Sequence, residues 1–420
     1  MRRNAEQGQD GESPDGARSR SWLTRGVAAV GVASFFSDSG HEMATAVLPT
    51  LVTSTLRSSA AALGVIEGVS DALTGVAKLV AGPFANDRER RLRMASGGYI
   101  VTAAATGALG FAQTVLQVGA LRATAWTARG VRSPARDAML ATLAPREAYG
   151  RAYGLERAGD NLGAVVGPLL AAALITVVGV RETLWLSVVP GLFAALAITI
   201  AAAEARRAPG GVARRVERAR LDLRALRAEG IVRPLLPIAL FELGNCATTL
   251  LILRATELLT HDGRTRVAAT SLAVIIYAAH NAAATGAAYG GGHRIDRVGP
   301  ARVFAAAGAV YVLAYIGFAS PAHSWPLLLI AFLLAGVGIG LGETAASVLL
   351  AHRLPDHLRG SGFGLLGAVQ AFGDLGSSLA VGLIWSLVSP TAAFLYAAAW
   401  MALSVVATVA TGALQAERRD

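Results

Sequence analysis

Acidic side chains occur inside long apolar stretches of this chain, where a charged group requires a partner or a function. Asp38 and Glu42 are four residues apart, as are Glu67 and Asp71, so each pair shares one face of a helix. An ionisable group inside a bilayer costs a few kcal/mol. A carboxyl in poorly solvated, acid-rich surroundings can take up and release a proton near neutral pH. Together with Asp160, these four acids are our candidates for proton coupling.

Other polar side chains in the apolar stretches have the chemistry to bind a small solute. The alternative is structural pairing, as of Asp71 with Lys78 or of Glu156 with Arg136. His41 lies beside two acids, which is weak evidence for a metal-ion route, and we expect no resident metal. The candidates for a solute cavity are His41, Lys78, Arg157, Glu242, Asn245, Tyr277, His280, Asn281, Gln370 and Asp374.

The motifs of soluble enzymes do not occur in the sequence. There is no phosphate-binding glycine loop, no nucleophile-elbow serine and no His-Glu-x-x-His zinc motif. A compact set formed by Asp38, His41 and Glu42 is the only support for an intramembrane enzyme. We therefore expect neither an enzyme nor a cofactor, and an ion gradient as the energy source.

The elements that must position these residues are membrane-spanning helices. Of the 420 residues, 54% are hydrophobic and 16% are charged, against about 25% charged in ordinary soluble proteins. Apolar runs of about 20 residues span a bilayer as helices, and the short alternating segments of a membrane β-barrel are absent. Twelve runs are present, over 26–55, 59–85, 94–114, 116–141, 150–178, 184–203, 234–256, 267–291, 301–319, 325–351, 358–388 and 390–413.

The longest polar break separates six runs from six. This break is rich in arginine and forms either a solvated linker or, around Val216–Leu226, a short helix on the membrane surface. The predicted organisation is a disordered cytoplasmic tail at 1–24, a six-helix bundle at 25–203, a cytoplasmic linker at 204–233, a second six-helix bundle at 234–414 and a tail at 415–420.

The distribution of positive charge predicts the orientation in the membrane. Most of the 38 lysines and arginines fall in the tails, the linker and alternate connections, which belong in the cytoplasm by the positive-inside rule. Both termini are then cytoplasmic. This bias also accounts for the net charge of +10, which faces anionic lipid and does not indicate nucleic-acid binding.

Two similar segments follow the second and the eighth run, half a chain apart. Each places a glycine at a helix end, followed by an acid and arginines in a tight turn. The acid can bind the N-terminus or a basic residue of a neighbouring helix and so hold one face of the protein shut. The alternative is a charge cluster that only sets topology. The residues concerned are Gly82, Asp87, Arg88 and Arg91 in the first copy and Gly292, Asp296, Arg297 and Gly299 in the second.

These segments resemble the signature of the major facilitator superfamily, which runs G-x-x-x-D-R/K-x-G-R-R/K between spans 2 and 3, with a weaker copy between spans 8 and 9. The second copy fits well. The first departs from it, because Asn86 stands at the position of the acid, with Asp87 one residue later, and Glu89 at that of the second glycine. The resemblance implies two six-helix halves that rock about a central cavity.

Three further features belong to the same resemblance. The end of the fourth run is similar to an arginine-containing motif linked with proton coupling, and the fifth run is similar to the first half of the G-x-x-x-G-P motif of proton-linked exporters. A glycine–proline pair that only bends and packs a helix is the structural alternative. An acid in the tenth run is a second latch element. The residues are Arg129, Arg132 and Arg136, then Gly163, Gly167 and Pro168, and Glu343.

The sequence therefore predicts an all-α membrane protein of twelve transmembrane helices in two pseudo-symmetric six-helix bundles. We expect a secondary transporter for a small organic solute, working by alternating access and by proton-coupled efflux. Uptake of a cationic metabolite or metal ion with protons, and a non-transporting membrane sensor, are the alternatives. The expected setting is a monomer among lipids of a bacterial inner membrane, with a small-molecule solute and no nucleic acid as partner.

Overall fold

The computed structural model describes residues 21–207, 220–321 and 324–411, and within these ranges the chain forms helices and turns without a β-strand. Most of the two predicted tails and residues 208–219 of the predicted linker lie outside the described residues. The α-helices are α1 (Arg25–Thr50), α2 (Ala60–Ala81), α3 (Arg88–Ala108), α4 (Val115–Leu143), α5 (Tyr149–Val177), α6 (Val180–Leu186), α7 (Val188–Arg207), α8 (Leu223–Ala228), α9 (Val232–Gly244), α10 (Thr248–His261), α11 (Arg266–Val298), α12 (Pro300–Ala319), α13 (Trp325–Arg353), α14 (Asp356–Leu387) and α15 (Pro390–Ala410).

These helices form the twelve predicted spans in the described part of the chain. Helices α6 and α7 make one span, and α9 and α10 make another that is interrupted at 245–247. The short helix α8 lies in the predicted linker and overlaps the end of the expected surface helix. Seven of the helical segments are long and apolar enough to cross a membrane by length and composition alone. Helices α1 and α2 are among the remaining spans, and they carry the acidic pairs Asp38 with Glu42 and Glu67 with Asp71.

Local sequence signals explain where the helices begin. The hydroxyl of Thr114 accepts a hydrogen bond from the backbone N–H of Gln117 at 3.2 Å, and the Gln117 side chain returns a bond to the Thr114 backbone. Both side chains accept hydrogen bonds in this capping box, which satisfies backbone N–H groups that the first turn of α4 leaves unpaired. Pro300 and Pro390 occupy first turns, where a missing N–H costs nothing.

Helix α7 shows the inside-out pattern of a protein that lies in lipid. Leu192, Phe193 and Leu196 are 51–59% exposed, although they are among the largest apolar side chains of the helix. The opposite face is buried and consists mainly of glycine and alanine, including Gly191 and Ala194. Lipid is as apolar as leucine, so membrane helices associate through small residues that allow close contact.

The two halves repeat the same set of helix contacts. In the first half α1 packs on α5 and α7, α4 packs on α2 and α3, and α3 packs on α7. In the second half α9 packs on α14 and α15, α13 packs on α11 and α12, and α12 packs on α15. Each pairing recurs six spans later, which is the pseudo-symmetry that the sequence predicted. The halves meet through α5 against α11 and α2 against α14.

The predicted glycine motif of the fifth span packs α5 against α1. A Cβ placed at Gly163 would lie 2.6 Å from the Phe35 carbonyl oxygen and 2.9 Å from the Asp38 Cβ, and one at Gly167 would lie 2.6 Å from the Ser39 carbonyl oxygen. Only glycine permits this approach. In this conformation the motif joins two helices of the same half, and Pro168 follows it within α5.

A leucine at Gly163 therefore tests the packing. We expect Gly163→Leu to lower the free energy of unfolding by about 1–3 kcal/mol or more through overpacking, measured as a lower melting temperature of the purified protein in detergent. Gly286→Leu is the matched control, because no heavy atom outside its own helix lies within 4 Å of a Cβ placed there. Equal melting temperatures for both variants would contradict the close α1–α5 contact.

Candidate functional site

One end of the molecule gathers the turns that carry the predicted latch motifs. The last residues of α2, α4, α11 and α13 lie there, with the first residues of α3, α5, α12 and α14. We call it the arginine-rich end. Its cross-half contacts decide whether the two halves can separate at this end.

Arg91 makes one of these contacts from a buried position. Its guanidinium is 1% exposed and donates to the Asp356 carboxylate at 2.9 Å and to the Asp356 carbonyl oxygen at 3.1 Å. Its Nε also donates to the carbonyl oxygen of Ala85 at 2.8 Å. The predicted latch arginine of the first copy thus ties α3 of one half to α14 of the other.

Asp296 makes the corresponding contact in the second copy. Its carboxylate accepts from the backbone N–H groups of Gly150 and Arg151, at 2.6 and 3.2 Å, and from the Arg151 Nε at 2.7 Å. A negative charge at a helix N-terminus is favourable, and here the helix is α5 of the opposite half. A Cβ at Gly292 would overlap the carbonyl oxygen of Gly150, so this glycine lets α11 reach α5.

In the first copy the contact with the other half is made by the amide of Asn86 and not by the predicted acid, Asp87. Asn86 donates to the Ser361 hydroxyl at 2.7 Å and accepts from the Ser361 backbone N–H at 2.9 Å, which joins α14 to the turn before α3. Asp87, the acid expected in the latch, instead accepts from the Arg90 backbone N–H at 2.9 Å and caps α3. The turn at Gly82–Asn86 is a tight helical turn, so Asp87 reaches the cap position and Asn86 faces the other half.

The remaining motif residues have local contacts. Arg88 donates to the carbonyl oxygen of Ala205 within its own half, and Arg297 is exposed. Gly299 has a φ of +90° where α11 ends and α12 begins, a conformation that favours glycine.

Toward the opposite end the distance between the two halves increases, as three glycines on one face of α2 show. A Cβ at Gly82 would lie 2.8 Å from the Gly360 carbonyl oxygen, and one at Gly75 would lie 3.0 Å from Ala371 on the same helix α14. Gly68 stands on the same face of α2, and no atom lies within 4 Å of a Cβ placed there. The space between the halves is therefore closed at the arginine-rich end and opens toward the other end.

A cavity of about 660 Å³ fills this space. Its size matches the range of small-molecule sites, about 300–1,000 Å³. Both halves contribute polar and charged side chains to its wall. The charged and histidine residues that line it are His41, Asp71, Lys78, Arg129, Arg132, Arg136, Asp137, Arg157, Asp160, Glu242, His280, Glu343 and Asp374, and Asn245 and Gln370 join them.

Arginines of α4 pair with α1 in the wall of the first half. Arg129 donates to the Asp38 carboxylate at 3.1 Å, and only 9% of that acid's side chain is exposed. Arg132 donates to the Ser37 hydroxyl at 2.7 Å and stacks on the ring of Tyr99, 3.7 Å from its centroid. The sequence placed these arginines near the inner boundary, whereas the structure places them in the cavity wall.

Arg136 holds together three acids. Its guanidinium lies 2.9 Å from the Asp137 carboxylate, 2.6 Å from that of Glu156 and 3.6 Å from that of Asp160. The structural alternative considered for Glu156 with Arg136 is thus present. Removal of one partner from such a buried pair leaves an uncompensated charge, which typically costs about 3–5 kcal/mol.

The base of the cavity is bridged by Arg157 of α5. This guanidinium lies 3.4 Å from Asp160 in its own half and 3.8 Å from Glu343 of α13 in the other half. Glu343 was expected in a latch at the inner end of its span. The structure places it at the cavity base, where its contact with Arg157 joins the two halves, and α13 extends beyond it to Arg353.

A second charged group lies toward the open end of the first half. Arg122 of α4 is 1% exposed and pairs with Glu67 at 3.0 Å, and its guanidinium carbon stacks 3.4 Å from the centroid of Trp126. The Trp126 Nε1 donates to the Asp71 carboxylate at 2.9 Å, and its ring contacts His41. Asp71 lines the cavity beside this tryptophan, and the predicted alternative, pairing with Lys78, is not among its contacts within 4.0 Å.

The structure separates the predicted residues into two groups. Eight of the ten solute-cavity candidates line the cavity, as do Asp71 and Asp160 of the five proton candidates. Asp38 and Glu67 are ion-paired with arginines, and the Glu42 carboxylate lies 3.3 Å from a ring nitrogen of His41. The candidates that fall outside the lining are Asp38, Glu42, Glu67, Tyr277 and Asn281.

The wall of the second half contains acids joined by an amide. The Asn245 side-chain nitrogen donates to the Asp374 carboxylate at 2.8 Å and lies 3.3 Å from that of Glu242. The Tyr311 hydroxyl lies 3.4 Å from the Asn245 side-chain oxygen. Asn245 stands in the break between α9 and α10, where Cys246 and its neighbours also line the cavity.

His280 is held by its own half. Its Nδ1 lies 3.0 Å from the Phe332 carbonyl oxygen, and Tyr277 stacks on the imidazole ring with centroids 5.5 Å apart. A ring nitrogen bound to a carbonyl oxygen carries the proton. His280 is thus hydrogen-bonded within its own half and also lines the cavity.

Sequence reasoning missed Arg122, Asp137, Trp126 and Tyr311. The first two are charged residues within the predicted span 116–141, so the criterion used for the acids would have found them. The two aromatic residues carry no such signal, because tryptophan and tyrosine are common in membrane helices and at their ends. Only the folded arrangement shows that they contact polar groups of the cavity.

The two six-helix halves and the polar cavity between them define the architecture of a secondary transporter. A family model for the Major Facilitator Superfamily matches residues 30–260 and 228–419. The chain belongs to the Major Facilitator Superfamily, and the predicted fold of twelve transmembrane helices in two halves is confirmed.

Known relatives agree with this assignment. An uncharacterised MFS-type transporter of Methanocaldococcus jannaschii is 23% identical over 380 residues, which cover 89% of this chain and 92% of the relative. An uncharacterised protein of Mycobacterium tuberculosis is 27% identical over 368 residues, covering 86% and 87%. A multi-drug resistance efflux pump PmrA homologue of Lactococcus lactis is 26% identical over 138 residues, covering 32% and 34%.

Solved structures share the fold. A bacterial homologue of the iron transporter ferroportin in an outward-facing state superposes with a TM-score of 0.75 at 14% identity, covering 93% of this chain and all of that one. The human organic anion transporter MFSD10 (TETRAN) gives a TM-score of 0.69 at 16% identity, covering 91% and 99%. At such low identity these likenesses concern the fold alone.

A cross-link at the arginine-rich end tests whether it must open. In a Cys246→Ser background, which removes the single native cysteine, we expect Asn86→Cys with Ser361→Cys to form a disulfide upon oxidation, because the native side chains are in contact. Solute flux in proteoliposomes should be lost and should return upon reduction. Each single cysteine variant is the control. Undiminished flux through the cross-linked protein would show that this end does not move.

Proposed function

We propose that the protein exports a small organic solute in exchange for protons, by alternating exposure of the central cavity to the two sides of the membrane. The observation that carries the proposal is a polar cavity between two pseudo-symmetric halves, closed at one end by contacts that can break. The latch side chains are joined across the halves by hydrogen bonds and ion pairs. Such contacts can be exchanged for water when the halves rock apart.

The arginine-rich end belongs on the cytoplasmic side in this proposal. Positive charge accumulates on the cytoplasmic face of membrane proteins, and the turns at this end carry arginines such as Arg90, Arg93 and Arg146. Both termini then lie in the cytoplasm, and a bacterial inner membrane is the setting we propose. The conformation described here is accordingly open to the outside.

Proton coupling is assigned to the acids of the first half. Asp71 is exposed to the cavity, where it can exchange protons with water, and Asp38 is tied to Arg129. Protonation of Asp38 would break that ion pair and free Arg129, which lines the cavity. A proton can in this way change the charge of the wall that a solute meets.

Export is favoured over uptake by the fifth-span motif and by one relative. The similarity to an efflux pump homologue of Lactococcus lactis supports this direction. A single chain encloses the cavity, so we propose that the monomer is the working unit. Surrounding lipid and the transported solute are its partners, without a cofactor.

The proposal is tested with the purified protein in proteoliposomes loaded with a pH-sensitive dye. A panel of amines, amino acids, sugars, carboxylates and aromatic dyes is loaded in turn, at equal pH on both sides. Solute leaving the vesicle by exchange should bring protons in and acidify the lumen. Alkalinisation of the lumen would indicate that solute and protons leave together, which is the symport of the alternative uptake function. Solute flux without a pH change would contradict proton coupling.

Neutral replacement of the acids tests their role. We expect Asp38→Asn and Asp71→Asn each to abolish the pH-driven flux, because neither amide can carry a proton, while solute exchange at equal concentrations continues. Asp222→Asn is the control, because Asp222 caps the short helix α8 away from the cavity. Proton-driven flux at the wild-type rate in both cavity variants would remove these acids from the mechanism.

A further inference from the structure

The second half carries an acidic pair that the proton-coupling scheme does not use. Glu242 of α9 is 3% exposed, and Asp374 of α14 lies in the same cavity wall. One amide nitrogen of Asn245 contacts both carboxylates, at 3.3 and 2.8 Å, so the two acids lie side by side. They come from helices that are adjacent in the fold and far apart in the sequence.

This pair differs from Asp38, Glu67 and Glu156 of the first half in having no cationic partner. Among the described residues, the second half contributes three acids to the cavity lining and neither a lysine nor an arginine. Neither Glu242 nor Asp374 forms a salt bridge within 4.0 Å in this part of the chain. By contrast, Asp38, Glu67 and Glu156 each lie within 3.1 Å of an arginine nitrogen.

The cations across the cavity are turned to other groups. Arg157 is paired with Asp160 and Glu343. The carbon chain of Lys78 runs past Gly367, two turns of α14 before Asp374, and no carboxylate lies within 4.0 Å of its nitrogen among the described residues. The first half thus lines the cavity with cations, whereas Glu242 and Asp374 in the wall of the second half have no cationic partner.

A positively charged ligand group would complete this wall. Two adjacent carboxylates without a cation are costly to desolvate, and a cationic nitrogen between them supplies the missing charge. The side-chain oxygen of Asn245 is also within reach, and α9 ends at the same point, which adds negative partial charge. The aromatic ring of Tyr311 lines the cavity beside Asn245 and suits an alkylated ammonium group.

The surroundings fit an organic cation better than a metal ion. Within the described residues no group of three or more histidine, cysteine, aspartate or glutamate side chains is arranged to hold a metal. The cavity of about 660 Å³ is far larger than a desolvated metal ion needs. It has room for an organic body of drug-like size around the charged nitrogen.

We propose that Glu242 and Asp374 form the cation subsite of the transported solute, which is an amine or a quaternary ammonium compound. This inference rests on the proposed function, since it names the class of solute for the same cavity. The acids of the first half then carry protons, and the acids of the second half bind the charge of the cargo.

Binding to the purified full-length protein tests the subsite without requiring transport. The probes are benzyltrimethylammonium and the larger cation ethidium, with neutral benzyl alcohol and anionic benzoate for comparison, titrated by calorimetry at pH 8 and low salt. We expect at least one cation to bind and neither comparison compound to do so. Glu242→Gln and Asp374→Asn should each weaken cation binding at least ten-fold.

Glu257→Gln is the matched control, because it removes the same charge from the same span. Glu257 pairs with Arg254 and does not line the cavity, so cation affinity should be unchanged. Each variant is first compared with wild type for its unliganded melting temperature and monodispersity. The wild-type preference for cation over neutral probe tests the proposal even if a variant fails to fold.

The outcomes distinguish the subsite from the transport proposal. Absence of cation binding, equal binding of benzyl alcohol, or full affinity in both folded variants would overturn the subsite. Proton-coupled flux of a neutral or anionic solute that Glu242→Gln leaves unaffected would overturn it while upholding export. Cation binding that depends on both acids, without flux in proteoliposomes, would uphold the subsite and overturn the transport function.

Discussion

A charge removed from water must be paired, and this requirement organises the first half of the molecule. Arginines of α4 at four levels meet acids from α1, α2 and α5 or a hydroxyl of α1. Because each arginine must find its partner, the rotation of α4 relative to its neighbours is restricted. The same pairs form one wall of the cavity, so the packing of the half and the electrostatics of the site have a common origin.

The two halves share a scaffold but differ in chemistry. Every principal helix contact of the first half recurs in the second, yet the second half has no arginine in its cavity wall among the described residues. Within each half, helices approach through glycine and alanine, and these contacts bury small apolar surfaces tightly. Between the halves, hydrogen bonds and ion pairs accompany close glycine packing at the arginine-rich end. The polar contacts can be exchanged for water, so each half can move as a body while the contact between them breaks.

Much of the fold could be predicted from the sequence, because lipid imposes a simple rule on length and hydropathy. The twelve spans, the division into halves and the repeated turn motif follow from apolar runs and spacing. The roles of Asp87 and Glu343 could not be assigned in this way. A shift of one residue in the turn decides whether a side chain caps its own helix or contacts the other half. Asp87 caps α3, whereas Asn86, one residue earlier, contacts α14. The position of Glu343 along the membrane normal depended on where α13 ends.

The sequence by itself determined that lipid surrounds most of this protein, how many spans it has and which charged residues had to be buried. These properties depend on composition along the chain. Only the tertiary structure decided which charges are partners. Asp38 meets Arg129 across 91 positions of the sequence, and Asn245 meets Asp374 across 129. Such pairings depend on how helices rotate and cross, which the linear pattern does not record. For that reason acids with an arginine partner, such as Asp38, and acids without one, such as Asp374, became distinguishable only in three dimensions.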